Sequence, residues 1–241
     1  MFITLITALM MQAAEPQPAN LNDAPRAESA TEATAGTAES VSSTEESVEE
    51  AIDPAAERAA VLSGINAYLN SIDTMRARFF QVSPQGQVIG GLLSIDRPGR
   101  LRFEYDDPST ITVIADGTTV ALEDEALETV DRAPLRSTPL WWLLKDEIDI
   151  AVDAEVVDIT REFGFTFLTV RDPNGEMEGQ IQFVFEGDSY QLREWFVTDA
   201  LGEITRIIIE DQEVGMELSP RLFIIPEPES RHDSRRGRGR D

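Results

Sequence analysis

Between Thr74 and Asp211, apolar and polar residues alternate in one short run after another, and turn signals punctuate the runs. A period of two belongs to an extended chain whose successive side chains face opposite ways. No other feature constrains this chain as tightly. In Thr74–Gln81, Met75, Ala77 and Phe79 share a face against Arg76 and Arg78. In Val88–Arg97 the shared face is Gly91, Leu93 and Ile95, and in Arg100–Tyr105 it is Leu101, Phe103 and Tyr105. Further strands are predicted at Ile111–Ala115, Thr119–Glu123, Leu127–Asp131, Glu155–Glu162, Phe165–Arg171, Gly179–Glu186, Gln191–Val197 and Glu203–Asp211. Asp107-Pro108, Asp116-Gly117, Asp172-Pro173-Asn174-Gly175 and Gly187-Asp188 are the turns between them. The pattern predicts a mainly β (α+β) fold built on a meandering antiparallel sheet, barrel or half-barrel.

Two segments leave that period. In Ala55–Ile72, Ala59, Leu62, Ile65, Tyr68 (or Leu69) and Ile72 recur at helical spacing, after Asp53-Pro54 as cap and first turn. Gly64 weakens this helix by about 1 kcal/mol. The second is Pro134–Lys145: Thr138 reads as an N-cap, Pro139 as the first helical residue, and a short, very apolar helix follows. Its Leu140, Trp141, Leu143 and Leu144 cannot all hide on one narrow stripe. Such a helix either plugs a barrel mouth or lids an apolar cavity, and the pattern leaves both open.

Composition divides the chain. Residues 1–14 form an apolar leader too short to span a bilayer, which reads as a signal peptide or signal anchor, although it lacks a basic start. Residues 15–54 form an acidic, polar linker that cannot bury enough apolar surface to order itself. Residues 55–228 form the folded domain and 229–241 an arginine-rich tail. The formal charge is −25; Glu15–Arg58 carries −9 and Arg231–Asp241 carries +3, leaving −19 for the remainder. A domain this acidic repels nucleic acid and anionic membranes at long range. The leader points to export.

The chemistry of most enzymes is missing. There is no cysteine, and His232, the one histidine, lies in the tail. Thiol nucleophiles, histidine triads and histidine metal clusters are therefore excluded from the domain. Neither a phosphate loop nor a dinucleotide-binding glycine turn occurs. Adjacent carboxylates such as Asp106/Asp107 are expected by chance in so acidic a chain. No catalytic residue, metal or cofactor is expected.

Arg97 stands out. If Leu93 and Ile95 face inward, alternation turns Arg97 inward too, where a guanidinium needs several acceptors. Carbonyls at a helix end would serve and would make Arg97 a latch. Alternatively, it sits at the strand end before Pro98-Gly99 and reaches water.

Gly90-Gly91-Leu92-Leu93-Ser94-Ile95-Asp96-Arg97-Pro98-Gly99-Arg100-Leu101-Arg102-Phe103-Glu104-Tyr105 resembles the signature hairpin of the LolA family, periplasmic carriers of outer-membrane lipoproteins. Ala115-Asp116-Gly117, Thr138-Pro139-Leu140 leading into Leu143-Leu144, and Phe223-Ile224-Ile225-Pro226 match in place and order, so the resemblance covers roughly residues 58–226. It implies an incomplete antiparallel β-barrel, a half-barrel covered by a helical lid, with acyl chains entering between sheet and lid. It assigns Arg97 the role of lid latch. On that reading the acyl-chain cavity is walled by Met75, Phe79, Leu93, Ile95, Leu101, Phe103, Ile111, Val113, Phe183, Phe185, Trp195 and Ile207, and the lid helix presents Leu140, Trp141, Leu143 and Leu144.

The partners implied are lipidated lipoproteins, an inner-membrane ABC-type release transporter, and an outer-membrane receptor of the LolB type or the outer membrane itself. No nucleic acid is expected, and the protein is expected to be a monomer. Two features depart from the family: the long acidic linker, and Phe103 where a tryptophan is common. Two alternatives share the fold, a LolB-like acceptor and a lipid-binding periplasmic sensor or regulatory module. An acceptor would need a lipidated cysteine and a loop with an exposed apolar tip, whereas the Asp106–Thr110 turn is short and polar.

Overall fold

The computed structural model describes residues 53–138, 141–175 and 179–227. The alternating runs form eleven strands: β1 (Thr74–Val82), β2 (Val88–Asp96), β3 (Arg100–Tyr105), β4 (Ile111–Asp116), β5 (Thr119–Asp124), β6 (Thr129–Pro134), β7 (Glu155–Glu162), β8 (Phe165–Arg171), β9 (Gln180–Glu186), β10 (Gln191–Thr198) and β11 (Ile204–Val214). They make one sheet in the order β6-β5-β4-β3-β2-β1-β11-β10-β9-β8-β7, antiparallel throughout. Two meanders thus lie side by side, joined only where β1 pairs with β11. The sheet does not close: β6 and β7 are its two edges. The chain that links these edges, residues 135–154, supplies part of the roof.

Three α-helical segments accompany the sheet: α1 (Pro54–Asn70), α2 (Trp141–Leu144) and α3 (Ile150–Asp153). Asp53 caps α1, its carboxylate accepting from the Ala55 N–H at 3.0 Å. The expected lid helix is broken. A 3-10 turn at Leu135–Ser137 precedes the single turn of α2, and α3 follows in a stretch whose pattern marks no helix. Thr138 Oγ1 donates back to the Leu135 carbonyl at 2.8 Å, and residues 139–140, which it is expected to cap, lie outside the described residues. Strand β6 also starts later than its pattern suggests. Asp124 Oδ1 accepts from the Ala126 and Leu127 N–H groups, closing a turn that leaves Leu127 69% exposed.

Strand register builds the core. Ala77, Leu93, Phe103, Val113 and Leu122 stand opposite one another across five strands, and Met75, Ile95, Leu101, Ala115 and Val120 form the next row. On the other meander Ile207, Trp195, Phe183 and Leu168 are aligned in the same way. These rows face inward and pack with α1 and residues 142–154 as one apolar cluster. Each such side chain, fully buried, contributes about 1.5–3 kcal/mol. Part of the outer face is covered. Residues 216–226 cross it, held where Thr74 Oγ1 donates to the Met216 carbonyl at 2.7 Å and where Arg132 donates to the Pro226 carbonyl at 2.8 Å. Phe223 of this strap is buried beneath Arg100, whose guanidinium lies 5.7 Å from its ring centre.

Candidate functional site: a roofed apolar interior

The inner face holds every residue expected to wall a cavity. Met75, Phe79, Leu93, Ile95, Leu101, Phe103, Ile111, Val113, Phe183, Phe185, Trp195 and Ile207 are all buried in the core cluster. Phe79 is the pivot of one half, its ring edge-on to Phe103 at 4.9 Å and to Tyr105 at 5.1 Å. Gly91 makes room for it: a Cβ there would overlap the Phe79 ring and the Glu104 carbonyl. The interior has one polar pair that the pattern does not single out. Tyr105, on the same face as Leu101 and Phe103, donates its buried hydroxyl to Gln81 Oε1 at 2.7 Å. Burial pushes the Tyr105 phenol above its ordinary pKa.

From above, the roof enters this interior with Leu69 of α1 and with Trp142, Leu143 and Leu144 of α2, all buried. Trp142, absent from the expected lid set, is the buried indole. Trp141 is half-buried at the margin, 4.9 Å beneath the guanidinium of Arg136. Leu140 lies outside the described residues. Two voids remain. One, of about 10 Å³, lies between the roof and Val170 and Phe183; the other, of about 30 Å³, lies between α1 and Met75, Ile95 and Trp195. Leu69 and Leu143 line both and stand between them. Neither void has room for much more than a water molecule. Leu69, Leu143 and, at the first void, Trp142 are the roof side chains that border this space.

Arg97 joins roof to sheet. From the end of β2 its guanidinium donates to the Leu69 carbonyl, to the Ile72 carbonyl at 3.1 Å, to the Lys145 and Asp146 carbonyls at 2.8 and 3.0 Å, and to Asn70 Oδ1 at 3.3 Å. Orphan carbonyls at the end of α1 and just past α2 are thereby satisfied by one side chain. Burial lowers the Arg97 pKa, while Asp73 and Asp146 oppose that shift. Nearby, the Gly99 N–H donates to the Leu144 carbonyl at 2.7 Å, a second tie between the β2–β3 turn and the roof. The roof segment is braced internally by the Lys145–Asp153 ion pair.

Sequence reasoning overlooks two asparagines of α1. Asn70 Nδ2 donates to the Ile148 carbonyl and Asn70 Oδ1 accepts from the Ile148 N–H, both at 2.8 Å. One turn earlier, Asn66 Oδ1 accepts from the Ile150 N–H at 3.2 Å and Nδ2 donates to Asp149 at 3.3 Å. Their spacing of four was the available signal. It also passes unnoticed that Phe163, at the tip of the β7–β8 hairpin, is 94% exposed and has a φ of 52°, the left-handed region that bulky residues avoid.

Fold and site define a class: an open antiparallel half-barrel whose apolar inner face is roofed by helices and tied to them by a half-buried guanidinium. Comparison with known proteins gives the class its family. The family model described as "Outer membrane lipoprotein carrier protein LolA" matches residues 70–226, and the chain belongs to the LolA family. The outer-membrane lipoprotein carrier protein of Methylococcus capsulatus is 30% identical over 178 residues, covering 69% of this chain and 83% of that protein. The protein of the same name from Halorhodospira halophila is 26% identical over 181 residues, covering 71% and 84%. Among solved structures, a LolA superfamily protein from Nitrosomonas europaea is similar with a TM-score of 0.42 and 8% identity, covering 68% of this chain and 97% of that one. That last likeness is too distant to bear on function.

Proposed function

We propose that this chain is a non-enzymatic periplasmic carrier that takes up the acyl chains of lipoproteins beneath its roof and ferries them toward the outer membrane. The observation that carries the reading is Arg97, one half-buried cation binding both roof pieces through hydrogen bonds that can open and reform. The names of its relatives support the cargo. The cavity wall is the set from Met75 to Ile207 named above, and Leu69, Trp142, Leu143 and Leu144 are the side chains that withdraw when cargo enters. Arg97 is the latch.

Acyl chains gain about 0.8 kcal/mol per buried methylene, so a carrier that only attracted them would not let go. Filling the interior with its own roof when empty offsets that gain, because cargo must displace leucine and tryptophan rather than occupy a void. The Arg97 bonds, about 1.5–3 kcal/mol each as charge-assisted bonds, add to the offset. An inner-membrane ABC-type transporter would supply cargo and a LolB-like receptor or the outer membrane would receive it, with the leader 1–14 directing export. Mass spectrometry of protein recovered from a periplasmic extract tests this. Acylated lipoprotein should co-purify, and recovery with no acylated species at all would refute the carrier.

A second reading has one observation in its favour. The exposed Phe163 is an apolar tip of the kind a membrane acceptor needs, set on a different hairpin from the polar Asp106–Thr110 turn. The same chain would then also deliver cargo to a bilayer. Phe163→Ser should slow transfer to receptor-free vesicles if so, and should leave it unchanged if the tip has no membrane role.

A further inference from the structure

We infer that α1 and residues 145–153 open as a single body, and that Asn66 and Asn70 are the positioning residues that make them one. The inference rests on the carrier reading and concerns how its roof moves. Four residues along a helix rise ~6 Å and two residues of extended chain span ~6.6 Å. Asn66 and Asn70 on α1 therefore match Ile150 and Ile148 on the roof segment in step. Asn70 closes a two-way bond on the Ile148 backbone, as one strand would on another, while Asn66 accepts from the Ile150 N–H and donates to the Asp149 carboxylate. Ile148 and Ile150 themselves are buried, so the pairing is backed by packing. Lys145–Asp153 and the Asp149 cap of α3 keep the segment in shape.

The ties of this body to the sheet are of another kind: most converge on Arg97, and Arg58 of α1 also donates to the Val156 carbonyl of β7 at 3.2 Å. Arg97 reaches both pieces at once, Gly99 meets Leu144, and Tyr68 meets Gln212 of β11 at 3.1 Å. Releasing Arg97, whose partners include Asn70 Oδ1, frees α1 and the roof segment together, while the asparagine bonds to Ile148, Asp149 and Ile150 do not involve the sheet. Cargo then passes between roof and sheet, not between the two roof pieces.

Hydrogen exchange separates the two openings, because different N–H groups report them. In Arg97→Leu, and in wild type loaded with a synthetic triacylated lipopeptide, the Gly99 N–H should lose protection while those of Ile148 and Ile150 keep it. Loss of all three together would overturn the inference. The absence of native cysteine allows a second test with a short bismaleimide bridge. Bridging Asn66→Cys to Asp149→Cys should restore the shared body and leave lipopeptide uptake at or above that of the same variant unbridged, and bridging Tyr68→Cys to Gln212→Cys should abolish uptake in proportion to the fraction bridged. The reverse result would mean that the roof parts along its own middle. If the unbridged proteins take up no lipopeptide, the carrier reading falls first and the inference falls with it.

Discussion

Gly64 lies against the ring of Tyr190: a Cβ at position 64 would come within 3.0 Å of three of its ring carbons. The glycine that weakens α1 as an isolated helix is what allows α1 to sit down on the β9–β10 turn. Gly64→Ala thus sets two effects in opposition, a gain in helix propensity of about 1 kcal/mol against an overpacking penalty of about 1–3 kcal/mol. The penalty should win. We expect a lower urea midpoint and melting temperature, and a rise in either would contradict the contact.

Arg97→Leu removes every bond between the guanidinium and the roof while leaving an aliphatic side chain of similar reach. We expect faster uptake of acylated cargo and slower hand-over to acceptor vesicles, since nothing competes to reclose the roof. The measurement is the transfer rate of a labelled lipoprotein. Release as ready as in wild type would remove Arg97 from the mechanism.

Leu143 separates the two small voids, so Leu143→Ala should merge them into one pocket. Truncating a buried leucine costs about 2–5 kcal/mol, and the upper half of that range applies only if the site cannot collapse. An apolar fluorescent probe should bind the variant and not the unliganded wild type. A variant as empty of probe as the wild type would show that the roof sinks to refill the space.

Tyr105 gives a pH dependence. Burial raises its pKa in the folded state, so the phenol stays neutral there at pH values where an unfolded chain would ionise. Its contribution is complete below the unfolded value of about 10 and is lost as pH climbs from there toward the folded pKa. Tyr68, also raised by burial, acts in the same direction. Denaturation midpoints should fall above about pH 10, and less steeply in Tyr105→Phe. That variant also loses the hydrogen bond to Gln81, which should lower stability at neutral pH by about 1–3 kcal/mol.

Much of this molecule could be read locally. A strand two residues out of phase would turn Phe79, Leu93 and Phe103 no differently, but one residue out of phase would expose them all, so alternation alone placed each on the inner face. The same alternation turned Arg97 inward. Where side-chain hydrogen bonds override the pattern, reading fails: the Asp124 carboxylate closes a turn that moves the start of β6. Between Trp141 and Trp142 the pattern has no preference. Burial of one and stacking of the other against Arg136 depends on where a single helical turn meets the sheet.

The amino-acid order by itself determined which residues are extended and which face of each strand is apolar, because both follow from steric preferences between near neighbours. It also showed, by the residue types it lacks, that histidine and cysteine chemistry has no place in the domain. Only the tertiary structure decided that β1 pairs with β11, that the sheet stays open, and that Asn66, Asn70 and Arg97 converge on one roof segment. Those are contacts between residues far apart in the chain, some more than a hundred positions, and no local preference encodes the geometry that brings them within hydrogen-bonding distance.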